Sequence, residues 1–184
     1  VNCGYQLLKE SHKGYKGNIL NLGMRTINTG LDISMSAKNM LYLDGQKIIH
    51  PEIVVQNPKD IPFISQTIKA KASREQTVSL EKIVAVYSTQ DEAVYGLVSS
   101  NAINSASLRK VKRAGNFNQI YLKHARKWEY LWNNTNISVN GPEHIQRSLD
   151  YSIFQLLQAA GPDLETINIG ARQYNFDYNG HAFW

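Results

Sequence analysis

Up to about Tyr87 the apolar positions of the chain alternate with polar ones. Ile33, Met35 and Ala37 fall on one side of Asp32 to Ala37, and Ile68, Ala70 and Ala72 on one side of Thr67 to Ala72. A period of two is that of strands with one buried face. Thr77 to Tyr87 starts in the same way and ends in the unbroken run Ile83-Val84-Ala85-Val86, which predicts a strand covered on both faces; Ser73 to Gln76 then becomes the hairpin loop before it. Asp44-Gly45 is a turn dipeptide, and Asn57-Pro58 and Ile61-Pro62 exclude helix around them. The region is predicted to be antiparallel and all-β.

At Thr89 the period changes. Thr89-Gln90-Asp91-Glu92 reads as a capping box, and Ala93, Val94, Leu97, Ala102, Ile103 and Ala106 follow at near-helical spacing, although Gly96 interrupts them. A second helix is predicted over Phe117 to Trp132, because Phe117, Ile120, Tyr121, His124, Trp128, Leu131 and Trp132 fall on one side. Asn140-Gly141-Pro142 opens a third, with the proline where its missing N–H does no harm. Ile145, Leu149, Ile153, Leu156, Leu157 and Ala160 repeat along it, and Gly161-Pro162 ends it.

Composition changes this picture little. The 184 residues, 42% of them hydrophobic, suffice for one ordinary domain or pieces of two. The formal charge of +5 and pI near 9.2 come from spread-out lysines and arginines, apart from Arg109-Lys110-Val111-Lys112-Arg113. One such run without a nucleic-acid motif is a solvated helix face, so no nucleic-acid partner is expected. Cys3 is the single cysteine, which precludes an internal disulfide and fits a reducing, cytoplasmic setting. No apolar run reaches membrane-spanning length, no signal peptide is visible, and the sequons at Asn133 and Asn136 are read as chance. His12, His50, His124, His144 and His181 are too scattered for a metal site, and none is expected. His124, on an apolar stripe, reads as a packing histidine.

The most unusual stretch is Ala171 to Trp184, which places Tyr174, Phe176, Tyr178, His181, Phe183 and Trp184 among small and amide residues with neither a helical nor a strand period. Aromatic faces with polar tips suit a ligand with apolar C–H faces and hydroxyl edges, such as a sugar. They equally suit the plugging of a core, with Gly180 making a turn. Asp163, Glu165 and Asp177 read as solvated, since nothing in the sequence separates their pKa values.

Tyr178-Asn179-Gly180-His181-Ala182-Phe183-Trp184 resembles the Tyr-x-Gly-His-x-Phe-Trp that opens the Phe-Trp-Asp-Thr-Glu signature of glycoside hydrolase family 65, which holds the maltose, trehalose, kojibiose and nigerose phosphorylases and some hydrolases. Three earlier phrases agree with it in order. Val78 to Ser88 resembles the Leu-Glu-Lys-x-Val-x-Val-Tyr-Thr-Ser phrase late in the family's β-sandwich. His124, Trp128 and Trp132 match the His-x-x-x-Trp-x-x-x-Trp of its linker helix, and Ile145 to Gln158 resembles the helix that opens its (α/α)6 barrel.

The resemblance implies an α+β fragment: antiparallel β-sandwich over 1–88, helical linker over 89–140, and the start of the catalytic barrel over 141–184. It also implies substrate-binding roles for His181, Phe183 and Trp184, and a weaker one for Arg172. The reaction expected of the longer enzyme is inverting phosphorolysis of a glucose disaccharide to β-glucose 1-phosphate and glucose. Phosphate is then a co-substrate, no other cofactor is needed, and a homodimer is expected. The general-acid glutamate would lie beyond Trp184, so the fragment alone should not turn over. The alternatives are a hydrolase of the same family and a non-catalytic carbohydrate-binding sandwich.

Overall fold

The computed structural model describes residues 7–91, 94, 96 and 99–159 of the chain. It divides into two compact units, Val1–Ile120 and Tyr121–Trp184. Among the described residues of the first, seven strands follow in order: β1 (Leu8–Lys16), β2 (Ile19–Thr26), β3 (Asp32–Leu43), β4 (Gln46–Lys47), β5 (Glu52–Gln56), β6 (Ser65–Lys69) and β7 (Val78–Ser88). Every pairing is antiparallel, β1 with β2, β2 with β3, β3 with both β4 and β7, and β5 with β6. β3 is the spine of the larger sheet. β7 runs along its whole length on one edge, while β2 and then β4 share the other. Asp44 and Gly45, at φ 48° and 78°, take the left-handed conformations that the tight β3–β4 turn demands.

Alternation gives this sheet two unlike faces. One carries Asn21, Gly23, Ser34, Ser36, Ile83 and Ala85 and receives α1 (Ser100–Arg113). Ser99 caps this helix, its Oγ accepting the Ala102 N–H at 3.2 Å, and Lys110, Lys112 and Arg113 in the last turn complement the negative end of its dipole. Ile103, Ala106 and Val111 form its buried stripe, and the first two pack with Val94 and Tyr87. Burial of Ile103 and of Val111 contributes about 1.5–3 kcal/mol each, and that of Ala106 less.

Beside this apolar cluster lies a buried polar one. Asn21 Nδ2 donates to Ser36 Oγ (2.8 Å) and Ser34 Oγ (3.1 Å), each of those oxygens lies 2.8 Å from Ser107 Oγ, and Ser107 donates to the Asn104 carbonyl at 3.0 Å. One direction of donation satisfies all three hydroxyls: the amide gives to Ser34 and Ser36, they give to Ser107, and Ser107 gives to Asn104. Among the described residues Asn21 Oδ1 and Asn104 Nδ2 have no hydrogen-bond partner, a cost the apolar cluster must offset. The close approach depends on Gly23, where a Cβ would meet Asn104 Oδ1 at 2.7 Å and Ser11 Oγ at 2.8 Å.

The opposite face is covered only in part. The β5–β6 ribbon lies over it, tied by Asn39 Nδ2 to Gln66 Oε1 at 2.8 Å, and a cavity of about 410 Å3 between the layers is lined by Leu20, Ala37, Leu41, Ile64 and Ile68. Met35, Leu80, Val84 and Val86 remain exposed, Val86 at 54%. The loop joining β5 to β6 is fixed to β1 by Lys13, whose ammonium donates to the carbonyls of Pro58 and of Ile61 (2.8 Å) and pairs with Glu10 at 3.0 Å.

α2 (Phe117–Thr135) starts at the end of the first unit and continues into the second, which also contains α3 (Glu143–Ala159). Asn116 and Gln119 make a reciprocal capping box at its start, Asn116 Oδ1 accepting the Gln119 N–H at 3.0 Å and Gln119 Oε1 the Asn116 N–H at 3.2 Å. In the second unit, Gln146 of α3 holds the preceding segment by accepting from the Val139 N–H and donating to the Ile137 carbonyl, both at 2.9 Å.

The all-β region, the Asp44-Gly45 turn and the second and third helices are as expected, and three details differ. β6 ends at Lys69 and pairs with β5, so Thr67 to Tyr87 is not a hairpin; β7 pairs instead with β3. Only one face of the Ile83–Val86 run is covered among the described residues. Thr89 and Gln90 form a turn, and α1 begins at Ser100: the Thr89 N–H continues the ladder to the Asp32 carbonyl at 3.0 Å, and Gly96 adopts φ 82°, outside the helical region.

Replacing Gly23 by alanine should destabilise the chain by about 1–3 kcal/mol in urea denaturation, the cost of overpacking the α1 contact. Gly14→Ala serves as the control, because its methyl would meet nothing closer than His12 Nε2 at 3.5 Å and should leave stability nearly unchanged.

Candidate functional site

The residues expected to bind sugar, Arg172, His181, Phe183 and Trp184, lie outside the described residues, as do Asp163, Glu165 and Asp177. The described residues hold the three elements whose phrases preceded them in the sequence: β7, α2 and α3.

On β7 the residue that the sequence left unassigned is Glu81. Its position in the alternation places it on the α1 side of the sheet with Ile83 and Ala85, where a carboxylate requires donors. It has two: Oε2 accepts the Tyr42 hydroxyl at 3.1 Å and the Phe117 backbone N–H at 3.3 Å. The second bond satisfies one of the orphan donors at the α2 N-terminus and sets a negative charge against the positive end of its dipole. A carboxylate on the same strand face as Ile83 and Ala85 was the available signal for this role.

Two shifted pKa values mark this corner of the sheet. Partial burial, then the hydrogen bond and charge of Glu81, push the Tyr42 phenol above its ordinary value. Burial, followed by the nearby Lys47 charge, lowers the Lys38 ammonium, opposed by Glu81; Lys38 Nζ donates to the Ala114 carbonyl at 2.7 Å, just beyond the end of α1. Lys38 ties the end of α1 to the sheet, and Tyr42 holds the carboxylate that receives the start of α2.

In the second unit the aromatic residues form a row. His124 meets Trp128 edge-on with centroids 6.1 Å apart, Trp128 lies 6.4 Å from Trp132, and Trp128 packs on Phe154 of α3 at 5.2 Å. Helical spacing of four residues makes such a row. Its contacts are ring against ring, and His124 is an exposed residue that meets Trp128 by its ring. Among the described residues no three His, Cys, Asp or Glu side chains gather as metal ligands, and no helix is long and apolar enough to cross a membrane.

The family model for the glycosyl hydrolase family 65 N-terminal domain matches residues 3–131. Among curated proteins, an uncharacterized glycosyl hydrolase of Mycobacterium tuberculosis is 26% identical over 89% of this chain and 12% of its own length. The kojibiose phosphorylase of Halothermothrix orenii is 23% identical over 89% of this chain and 21% of its own. The nigerose phosphorylase of Lachnoclostridium phytofermentans is 21% identical over 96% and 22%. The chain thus spans between about an eighth and a fifth of the length of these relatives.

A raised tyrosine pKa means that the neutral phenol is favoured in the folded state. This contribution is complete below about pH 10, the unfolded value, and is lost as pH rises through the higher folded value. Following phenolate absorbance in the wild type, Tyr42→Phe and Glu81→Gln should isolate one late-titrating tyrosine as Tyr42, and should show it titrating earlier in Glu81→Gln, though not fully at the ordinary value because burial remains. An unchanged titration in Glu81→Gln would remove Glu81 as a cause.

Proposed function

The chain belongs to glycosyl hydrolase family 65, and on that premise we propose that it is part of an inverting α-glucoside phosphorylase. It supplies a portion of the amino-terminal sandwich, the linker helix and the first barrel helix with the sugar loop after it. The observation that carries this reading is the order of the matches: the family's N-terminal domain over residues 3–131, phosphorylase relatives extending along nine-tenths of the chain, and the Tyr-x-Gly-His-x-Phe-Trp phrase at Tyr178 to Trp184.

The proposed substrate is a glucose disaccharide of the maltose, trehalose or kojibiose type, with inorganic phosphate as co-substrate and no other cofactor. A glutamic acid outside this chain gives its proton to the glycosidic oxygen as the C1–O bond breaks. A phosphate oxygen bonds to C1 from the opposite face, so the configuration inverts and the products are β-glucose 1-phosphate and glucose. His181, Phe183, Trp184 and, more distantly, Arg172 form one wall of the glucose pocket in this proposal. Trp184 offers the sugar a broad apolar face, and His181 a hydrogen-bonding edge. The enzyme is proposed to be a cytoplasmic homodimer. Hydrolysis by related chemistry would need a second carboxylate to activate water in place of phosphate.

The test is to express the longest polypeptide containing this chain and supply glucose disaccharides with and without phosphate. β-Glucose 1-phosphate formed only with phosphate is expected; glucose released equally without phosphate would make the protein a hydrolase. In the same polypeptide Trp184→Ala should lower kcat/KM by roughly a hundredfold, the order of about 2.7 kcal/mol of lost transition-state binding. A variant as active as the wild type would remove Trp184 from the pocket.

A further inference from the structure

Asn140-Gly141 lies in the connection between α2 and α3, wholly within the second unit. Among the described residues it is the one place where an asparagine precedes a glycine. That order carries its own chemistry: the backbone nitrogen after an asparagine can close a five-membered ring on the side-chain amide carbon, and a glycine, having no Cβ, leaves the approach clear. The structure leaves both reacting groups free. Asn140 and Gly141 are exposed, neither the Asn140 amide nor the Gly141 N–H is hydrogen-bonded to a described residue, and a Cβ at Gly141 would meet nothing nearer than Val139 Cγ1 at 3.9 Å.

The residues on either side are pinned. The Val139 N–H donates to Gln146 Oε1 and Gln146 Nε2 to the Ile137 carbonyl, both at 2.9 Å, and the Ile145 N–H donates to the Pro142 carbonyl at 3.0 Å. Asn140-Gly141 is thus an open link between fixed points. Other asparagines lack one condition or another. Asn21 and Asn104 are buried, the amides of Asn18, Asn39 and Asn134 are engaged as donors, and the exposed Asn136 is followed by Ile137, whose branched Cβ crowds the attacking nitrogen. Asp44 also precedes a glycine, but its two carboxylate oxygens accept the Thr77 N–H at 2.8 Å and the Gln76 amide at 3.1 Å, which hold it in place.

We infer that Asn140 is a site of spontaneous covalent modification, converting through a succinimide to aspartate and isoaspartate. The Gly141 nitrogen bonds to Asn140 Cγ, the Cγ–Nδ2 bond breaks, and the proton of the attacking nitrogen leaves with ammonia. Water then opens the ring: addition at Cγ gives aspartate, and addition at the main-chain carbonyl carbon gives isoaspartate, whose main chain runs through Cβ. Either product sets a new negative charge shortly before the positive end of α3, where Glu143 already stands. Isoaspartate also lengthens the backbone between Val139 and Gln146, so the bonds that clamp this segment must shift. The reaction needs only water and the loop itself, and is independent of the disaccharide chemistry proposed above.

The experiment incubates the 184-residue chain at mildly acid and mildly alkaline pH, digests samples with trypsin over time, and sequences the peptide from Trp128 to Arg147 by mass spectrometry, with chromatography separating aspartate from isoaspartate. Asn140 should convert progressively, and faster at alkaline pH because the attacking nitrogen must give up its proton. Asn133, Asn134 and Asn136, in the same peptide, should stay intact over that interval. Gly141→Ala, at an exposed position with room for a methyl group, should slow the conversion by about tenfold, which is roughly 1.4 kcal/mol on the barrier. In amide NMR spectra of the aged chain the Val139 N–H and the Gln146 side-chain signals should move, while those of β3 stay in place. An intact Asn140, conversion of Asn136 at an equal rate, or an unchanged rate in Gly141→Ala would each overturn the inference.

Discussion

The first unit depends on how closely α1 can approach the sheet. The contact is made by small side chains: Ser34, Ser36 and Ser107 interlock through their hydroxyls, and Gly23 leaves room for Asn104. Serine is a poor core residue in apolar surroundings, but here the three hydroxyls are satisfied by one another, by the Asn21 amide N–H groups and by the Asn104 carbonyl, which fixes their geometry. This geometry seats Ile103 and Ala106 against Val94 and Tyr87. Larger apolar residues at the serine positions would hold the helix farther out, and the apolar cluster beside them would open.

The same closeness organises the chain immediately after α1. Lys38 reaches the Ala114 carbonyl just past the helix end, and Glu81 two residues along the same sheet face receives Tyr42 and the first turn of α2. Three ionisable side chains on neighbouring strands thus mark where one helix stops and the next begins. The polypeptide changes from strands to helices within the reach of the sheet, and the elements most similar to the family's late sandwich phrase and linker helix meet there through named bonds.

Much of this was legible in the sequence, and the parts that were not have physical causes. Alternation revealed which residues of β3 and β7 share a face, and helical spacing revealed α2 and α3 to within a few residues, because both patterns are local. Neither pattern says which strand pairs with which. Thr67 to Tyr87 read as a hairpin because its halves are adjacent in sequence, yet β7 gains eleven ladder positions by pairing with the longer β3, whereas β6 has five residues to offer and finds β5. At Thr89 a local capping signal lost to a ladder bond with Asp32 that only the tertiary register supplies. The stretch from Ala171 to Trp184 was readable only through its resemblance to a family phrase, since its aromatic residue types fit a core plug as well as a ligand wall.

The position of β3 also sets an order of events during synthesis. Its edge toward β2 can pair as soon as the strand is made, but its other edge waits for β7, whose first residue, Val78, closes onto Leu43. Some thirty-five residues must be added in between, roughly 2–7 s at about 5–20 residues per second. Through that interval the nascent sheet presents an unpaired edge flanked by Met35, Ala37 and Leu41, and the non-local closure that ends it is intrinsically slow. The tempo of translation between β3 and β7 is therefore where this domain is most open to mispairing with a neighbouring chain.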